Sequence, residues 1–498
     1  MTRHHPIYWQ PLFMIGAATT STFKFKMASF YRFSELEEQV SLKAGFPIHV
    51  LRFLLSLLLA YPLAFLYRAV FQSKSPAVQH IFFSCVGLSL LYFCFGWNCL
   101  HSLANIILAY CLIHQGGPTL TTVVCSFILN LGYLHVAYYC RSLDEFMLDW
   151  SVPHCILCLR LIGIAWDYYD GNNFNNNKIS EDMKTTRIST PPTLFEMTGF
   201  CYFFGGVIVG PQFSIRRYQS LVDGTLQDKD IDRSSSIQAG LQRFFFGVVY
   251  LVLFVAFNPS FNKDHFLSEW FENISLLHRF WFFIWFYEVM YMKYLGIFLV
   301  SEGCCIITGL GYNGKTEKGK PKWDAVSNIR VIDYETSYSI QQIIQSFHLQ
   351  TSLWIMRYVY KRAKFLGNRI LSLAIAQLFL AVWHGVQPGY FCLFFCQFMI
   401  IVFERSVLTM WELLQWKKVS EMPVYVQIIV KPILYCWSHM LMGYGSAPLA
   451  LLYLDKIHKV GMLTYYAPFI AITTWITIIY PYVLLPRLGS QKPLTKVS

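Results

Sequence analysis

Apolar residues run along this chain in long unbroken windows, near 50–71, 80–97, 98–113, 118–139, 151–168, 194–212, 241–258, 278–300, 370–386, 388–405, 424–450 and 464–486. A helix needs about 20 apolar residues to cross the hydrocarbon core of a bilayer, and most of these windows approach that length. Backbone in hydrocarbon has to satisfy its own hydrogen bonds, so continuous windows predict helices. A membrane barrel would instead alternate apolar and polar positions, and that alternation is missing. The pattern predicts an all-α, polytopic transmembrane helical bundle of about 11 spans, since several windows are short or broken by Gly and Pro. Its expected divisions are an interfacial N-terminal segment at 1–49, a spanning body at 50–486 and a short polar tail at 487–498.

Two polar interruptions stand out. The stretch 170–192, rich in asparagine, has no apolar face and reads as a surface connector. The stretch 311–345 mixes Lys315, Lys318, Lys320 and Lys322 with Trp323, Ile329, Val331 and Tyr334, which predicts an ordered re-entrant or interfacial segment.

Composition removes the soluble alternatives. Hydrophobic residues make up 55% of the 498 positions and charged residues 14%, too few to cover a water-facing surface. The 66-residue run 75–140 contains no Asp, Glu, Lys or Arg, and neither do 370–403 and 460–486. The net charge of +12 has no separate polar domain to sit on. It therefore points to anionic headgroups or an acidic substrate, with no nucleic acid among the expected partners. Short-loop positive charge at 311–322 and 357–369 favours the cytosolic side, and Asn273-Ile274-Ser275 is a glycosylation triplet compatible with the lumen. Fourteen cysteines show no metal-like spacing.

One polar group is conspicuous inside an apolar window. His384 follows the mainly apolar residues 374–383 and precedes Gly385. A histidine there is either a packing residue satisfied by a backbone carbonyl or a general base whose imidazole accepts a proton from a hydroxyl. His348 lies upstream in a basic stretch, where a surface or interfacial role is equally open. No carboxylate or cysteine is spaced to complete a metal set with the two histidines, so no metal site is expected.

Six blocks then combine. They are Leu161-Ile162-Gly163 with Asp167-Tyr168-Tyr169-Asp170; Val209-Gly210-Pro211-Gln212-Phe213-Ser214; Thr308-Gly309-Leu310-Gly311-Tyr312-Asn313-Gly314; Lys320-Pro321-Lys322-Trp323-Asp324; Lys364-Phe365-Leu366-Gly367-Asn368; and Trp383-His384-Gly385. Together they resemble the membrane-bound O-acyltransferase family, in its lysophospholipid-acylating branch, over roughly residues 50–486.

The resemblance implies a catalytic domain at 50–486, with a buried reaction chamber, in the endoplasmic reticulum membrane. The implied reaction transfers a fatty acyl group, polyunsaturated in this branch, from acyl-CoA to the free hydroxyl of lysophosphatidylcholine, lysophosphatidylethanolamine or lysophosphatidylserine. Acyl-CoA would be a co-substrate, with no permanently bound cofactor; membrane lipids would be partners, and an oligomer is compatible with the sequence. His384 corresponds to the family's catalytic base. Its usual partner is an asparagine in a Ser-Phe-Asn pattern, and here Ser346-Phe347 is followed by His348. That departure leaves His348 to orient His384 or to hold the acyl carbonyl oxygen. Arg357, Lys361, Arg362 and Lys364 would meet CoA phosphates or serve as membrane-surface charge. Gly210, Pro211, Gln212, Phe213 and Trp383 would line the substrate path or simply pack. Two other readings stay open: a lipid transporter or scaffold without turnover, and a family enzyme with another acceptor.

Overall fold

The computed structural model describes residues 35, 37–43, 45–140, 148–173, 180–228 and 230–488. The expected N-terminal segment 1–49, the tail 487–498 and the asparagine run 174–179 therefore lie largely outside the described residues. Two compact units are present, 1–54 and 55–498. In the first, Arg52 grips Glu37 through Nε at 3.1 Å and Nη2 at 2.7 Å.

The described elements are helical, with two isolated bridges. The helices used below are α1 (Ile48–Leu66), α2 (Pro76–Phe95), α3 (Leu100–Gly116), α4 (Leu120–Cys140), α5 (Ser151–Asn173), α6 (Leu194–Cys201), α7 (Arg233–Phe257) and α8 (Leu276–Ile307). They continue as α9 (Ile340–Ser346), α10 (Leu349–Ile355), α11 (Arg369–His384), α12 (Pro388–Leu413), α13 (Val424–Leu451) and α14 (Ala467–Thr474). Among the described residues, eight helical segments are long and apolar enough to cross a membrane, and α11 is a shorter apolar helix.

The difference from about 11 spans has local causes. Windows 80–97 and 98–113 form α2 and α3, which a 3₁₀ turn at Gly96–Cys99 joins without a gap, so they count as one apolar stretch, Pro76–Gly116. Window 194–212 yields only the eight-residue α6 and a run of turns. Window 151–168 does form α5, but that helix carries the buried charges Arg160, Asp167 and Asp170. Both segments are apolar because they face protein, which hydropathy cannot distinguish from facing lipid.

Helix α8 is the axis of the larger unit. Of its spanning window 72% is buried, against 11% for the α7 window. The two helices meet through glycines: a Cβ on Gly247 would stand 2.9 Å from the Gly296 carbonyl oxygen, and one on Gly240 would stand 2.6 Å from that of Gly303. Small residues here permit the close backbone approach typical of membrane helix pairs.

The segment 311–345 is ordered, as its composition implied. Lys315 bridges to Pro321 in the backbone, and its ammonium lies 2.6 Å from Asp230 and 3.7 Å from Asp228. The stretch 170–192 departs from a plain surface connector. Asp170, Met183, Thr186 and Ile188 are buried, and the Ile188 amide donates to the Asp167 carbonyl.

Candidate active site

His384 is the last residue of α11. The helix starts where the Asn368 side chain accepts from the Ile370 and Leu371 amides at 2.9 and 3.1 Å, a normal N-cap. It stops at Gly385, whose φ of +145° excludes a side chain; a Cβ would also meet the Tyr390 ring at 2.9 Å. His384 Nδ1 donates to the Leu380 carbonyl at 2.8 Å, because that oxygen can only accept. The proton is thereby committed to Nδ1, and Nε2 keeps a lone pair. Phe394 and Tyr390 pack around the ring, with centroids at 4.9 and 5.8 Å.

Trp383 meets the His384 ring at 4.6 Å and 85°. Its indole Nε1 donates to the Cys155 carbonyl at 2.9 Å, and its own carbonyl accepts from the Tyr138 hydroxyl at 3.1 Å. Those bonds fix α11 to α5 and α4, so the base is held by a residue whose polar atoms are used within the protein.

His348 precedes α10 and adopts a left-handed conformation, φ +53°. Among residues with a side chain, Asn, Asp and His are enriched there. The backbone thus explains how His can occupy a place where the resemblance expects Asn. Its Nε2 lies 3.0 Å from Thr351 Oγ1, and its ring stacks on Phe298 at 4.8 Å and 18°.

Two carboxylates set the loops around it. Glu404 accepts from the Ile340 and Gln341 amides, both at 2.7 Å, and so caps α9. Glu302 accepts from Ser327 Oγ at 2.7 Å and the Asn328 amide at 3.1 Å, and the Asn328 carbonyl receives the Leu349 amide at 2.9 Å. The imidazoles of His348 and His384 are close enough that a charge on one acts on the other. Both are partly accessible.

The basic residues form a separate seam. Arg357 Nε and Lys361 Nζ share the Asp182 carboxylate at 3.4 and 2.7 Å. Arg362 reaches the buried Asp170 at 2.5 Å and covers the Trp166 ring at 4.0 Å, while the Tyr358 hydroxyl donates to Asp167 at 2.6 Å. Partial burial works to raise the Asp182 pKa, but bonds from Lys361 and the charges of Lys361 and Arg357 hold it down at about 2. Lys364 is exposed and has no carboxylate partner among the described residues.

Residues 135–446 match the model of the membrane-bound O-acyltransferase family. The chain belongs to this family. It is 36% identical to lysophospholipid acyltransferase 5 of Homo sapiens over 480 residues, covering 94% of this chain and 96% of that protein. The Rattus norvegicus protein of the same name is 39% identical over 363 residues, 72% of this chain and 73% of its own. Membrane-bound glycerophospholipid O-acyltransferase 2 of Mus musculus is 26% identical over 408 residues, 75% of each chain. The family match spans both histidines, the 210–213 block and the basic seam.

Within this acyltransferase, Gly210, Pro211, Gln212 and Phe213 are organised by a residue that sequence reasoning passed over. The Arg160 guanidinium donates to the carbonyls of Phe200 and Cys201 at 3.0 Å, Gly206 at 2.9 Å and Pro211 at 3.3 Å, and it lies over the Phe213 ring at 4.8 Å. Gln212 Nε2 donates to the Ile156 carbonyl at 2.8 Å, and Ser301 Oγ donates to the Gly210 carbonyl. Arg160 is 2% exposed. The available signal was an arginine in an otherwise apolar window, which in a membrane protein marks an interior position.

Proposed function

We propose that this membrane-bound O-acyltransferase moves a fatty acyl group from acyl-CoA to the free hydroxyl of a lysophospholipid, in the endoplasmic reticulum membrane, as a step of phospholipid remodelling. The observation that carries the reading is the committed Nδ1 proton of His384, which leaves Nε2 as a base. The identity to lysophospholipid acyltransferase 5 over 94% of the chain supports the acceptor class. Lysophosphatidylcholine, with lysophosphatidylethanolamine and lysophosphatidylserine, is the proposed acceptor set, and polyunsaturated acyl-CoA the proposed donor.

In the proposed mechanism His384 Nε2 removes the hydroxyl proton as the acceptor oxygen attacks the thioester carbonyl. A carbon–oxygen bond forms, and charge develops on the carbonyl oxygen. His348 or a backbone amide stabilises that oxyanion. Collapse breaks the carbon–sulfur bond, and the proton on His384 passes to the departing CoA thiolate. Direct transfer needs no acyl-enzyme.

The CoA phosphates would meet Arg357, Lys361 and Lys364. The first two share one carboxylate and so retain a net positive charge. Arg362, paired with Asp170, anchors the patch. Gly210, Pro211, Gln212, Phe213 and Trp383 would wall the acyl path with apolar surface, their polar atoms being bonded within the protein.

The test supplies purified protein in lipid with a panel of acyl-CoAs and lysophospholipids. His384→Ala is expected to lower turnover by about 10²–10⁴-fold, the usual worth of a general base. His348→Ala should lower it less, and His348→Asn, which suits the same left-handed backbone, should retain it or raise it. Unchanged turnover in His384→Ala overturns the base assignment, and a folded wild type that acylates no lysolipid overturns the acceptor.

A further inference from the structure

Helices α7 and α8 form an antiparallel pair, since Gly240 faces Gly303 and Gly247 faces Gly296. One end of the pair lies beside the lysine-rich segment: Asp230, just before α7, is 2.6 Å from Lys315, just after α8. Residues 258–275 join the opposite ends. Helix α8 has 32 residues, about 48 Å at 1.5 Å per residue, against roughly 30 Å of hydrocarbon. Its two ends therefore lie on different sides of the bilayer, with length left for the first turn to stand clear of it.

Charge tells the two sides apart. Lys315, Lys318, Lys320 and Lys322 follow α8, the last of them 322 − 307 = 15 residues beyond its end. The connection 258–275 has one lysine, Lys263, with Asp264, Glu269 and Glu272. Lysine and arginine close to the ends of spanning helices favour the cytosolic side, so 258–275 faces the lumen.

That lumenal connection carries Asn273-Ile274-Ser275, the one Asn-x-Ser/Thr triplet in the sequence whose middle residue is not proline. Asn258-Pro259-Ser260 is blocked by its proline. The fold holds the backbone around the triplet and leaves the acceptor side chain outside. Ser268 caps the short helix Glu269–Asn273 by accepting from the Phe271 amide at 3.3 Å. Phe271 is 0% exposed and packs on Phe266 and Phe282 at 5.3 and 5.7 Å. Arg279 Nε donates to the Phe271 carbonyl at 2.9 Å, and Glu272 pairs with Lys459 at 2.6 Å. Asn273 itself is exposed, and its side-chain amide has no hydrogen bond within the protein among the described residues. A glycan is bulky and solvated, so an exposed side chain on an anchored loop suits it.

We propose that Asn273 carries an N-linked glycan on the lumenal face, transferred from a polyprenyl diphosphate-linked oligosaccharide. The bond from Asn273 Nδ2 to the sugar C1 forms as the bond from C1 to the diphosphate oxygen breaks. The amide proton passes to a base of the transferring enzyme, and polyprenyl diphosphate departs. The glycan fixes the orientation of the α7–α8 pair, with Lys315 and its neighbours on the cytosolic face.

The test expresses the full-length protein in eukaryotic cells and compares its gel mobility before and after digestion with peptide N-glycosidase F. The wild type should move by one step on digestion. Asn273→Gln should run at the digested position without enzyme. Ser275→Thr, which keeps the hydroxyl at the triplet and at the cap of α8, should retain the step. The glycan is read on the denatured chain, so a variant that folds poorly still reports its modification.

Orientation is checked in the same assay. Lys318→Asn combined with Lys320→Thr builds a triplet in the exposed loop after α8 and should add no second step. A wild type insensitive to the enzyme, or an Asn273→Gln protein that keeps the step, overturns the site. A second step from the Lys318→Asn/Lys320→Thr protein overturns the orientation. Acyl transfer is not read in this experiment, so failure here leaves the acyltransferase reading standing, and failure of that reading leaves the glycan.

Discussion

Glu288 and Glu302 stand on the same helix, 302 − 288 = 14 residues apart, which is about four turns and nearly the same face. Glu302 is 0% exposed and fully matched: Arg243 Nε lies 3.1 Å away, and Ser327 and Asn328 donate to its two oxygens. Glu288 is 12% exposed and touches only a histidine and a phenol, groups that can both remain neutral. The difference separates a charge that the fold depends on from one that it does not. A carboxylate held by a guanidinium, a hydroxyl and an amide has its charge answered by the fold, whereas one touched by a phenol and a histidine has no cation the fold depends on. Removing the first should damage folding; removing the second should cost little stability.

The sharpest break in the comparison is Glu302→Leu. It leaves Arg243 unpaired beside the membrane interior and frees the loop that bonds the Leu349 amide, so a loss of about 3–5 kcal/mol is expected. The readout is the apparent melting temperature in detergent, with turnover falling alongside it. The double variant Glu302→Leu/Arg243→Met should recover part of the loss, because no stranded charge remains. A single variant as stable as the wild type would erase the contrast between the two glutamates.

Asp170→Asn tests the same rule at the basic seam. Arg362 would lose a carboxylate that is 0% exposed while remaining 17% exposed itself and stacked on Trp166. A partly hydrated guanidinium suffers less than a sealed one, so about 2–3 kcal/mol is expected by the same melting measurement. Glu288→Gln should then shift stability by no more than about 1 kcal/mol, since Gln still accepts from Tyr435 and repulsion with Glu335 is relieved. A drop as large as that of Glu302→Leu would place Glu288 in the scaffold.

The sequence displayed these regions unequally. Continuous apolar windows were enough to find α7, α8, α12 and α13, because spanning helices impose the length signal directly. His384 was legible as an imidazole at the end of an apolar window, and the block patterns pointed to the family that the comparisons establish. The internal roles of Arg160 and Glu302 were hidden, because a charged residue in or beside an apolar window does not show which distant segments supply its partners. Arg160 meets residues 40 to 51 positions away, and Glu302 meets Ser327 across 25. The connector 170–192 was misread for the same reason. Its polar composition is real, but Asp170 and Asp182 face cations from 357–362.

Asp182 offers the gentlest perturbation of the matched class. Its folded pKa of about 2 lies below the ordinary aspartate value, so its contribution to stability is complete above about pH 4 and is lost as pH falls through about 2. The carboxylate is 37% exposed, which keeps its worth below about 1 kcal/mol and makes it sensitive to salt. The expected observation is a small melting-temperature gap between wild type and Asp182→Asn at about pH 6, shrinking towards zero as pH approaches about 2 or as salt is raised. A gap that persists through acid would mean that the Asn variant disturbs packing around Arg357 and Lys361. A gap absent at all pH values would mean that the two cations gain nothing from Asp182 and stand equally ready for another anion.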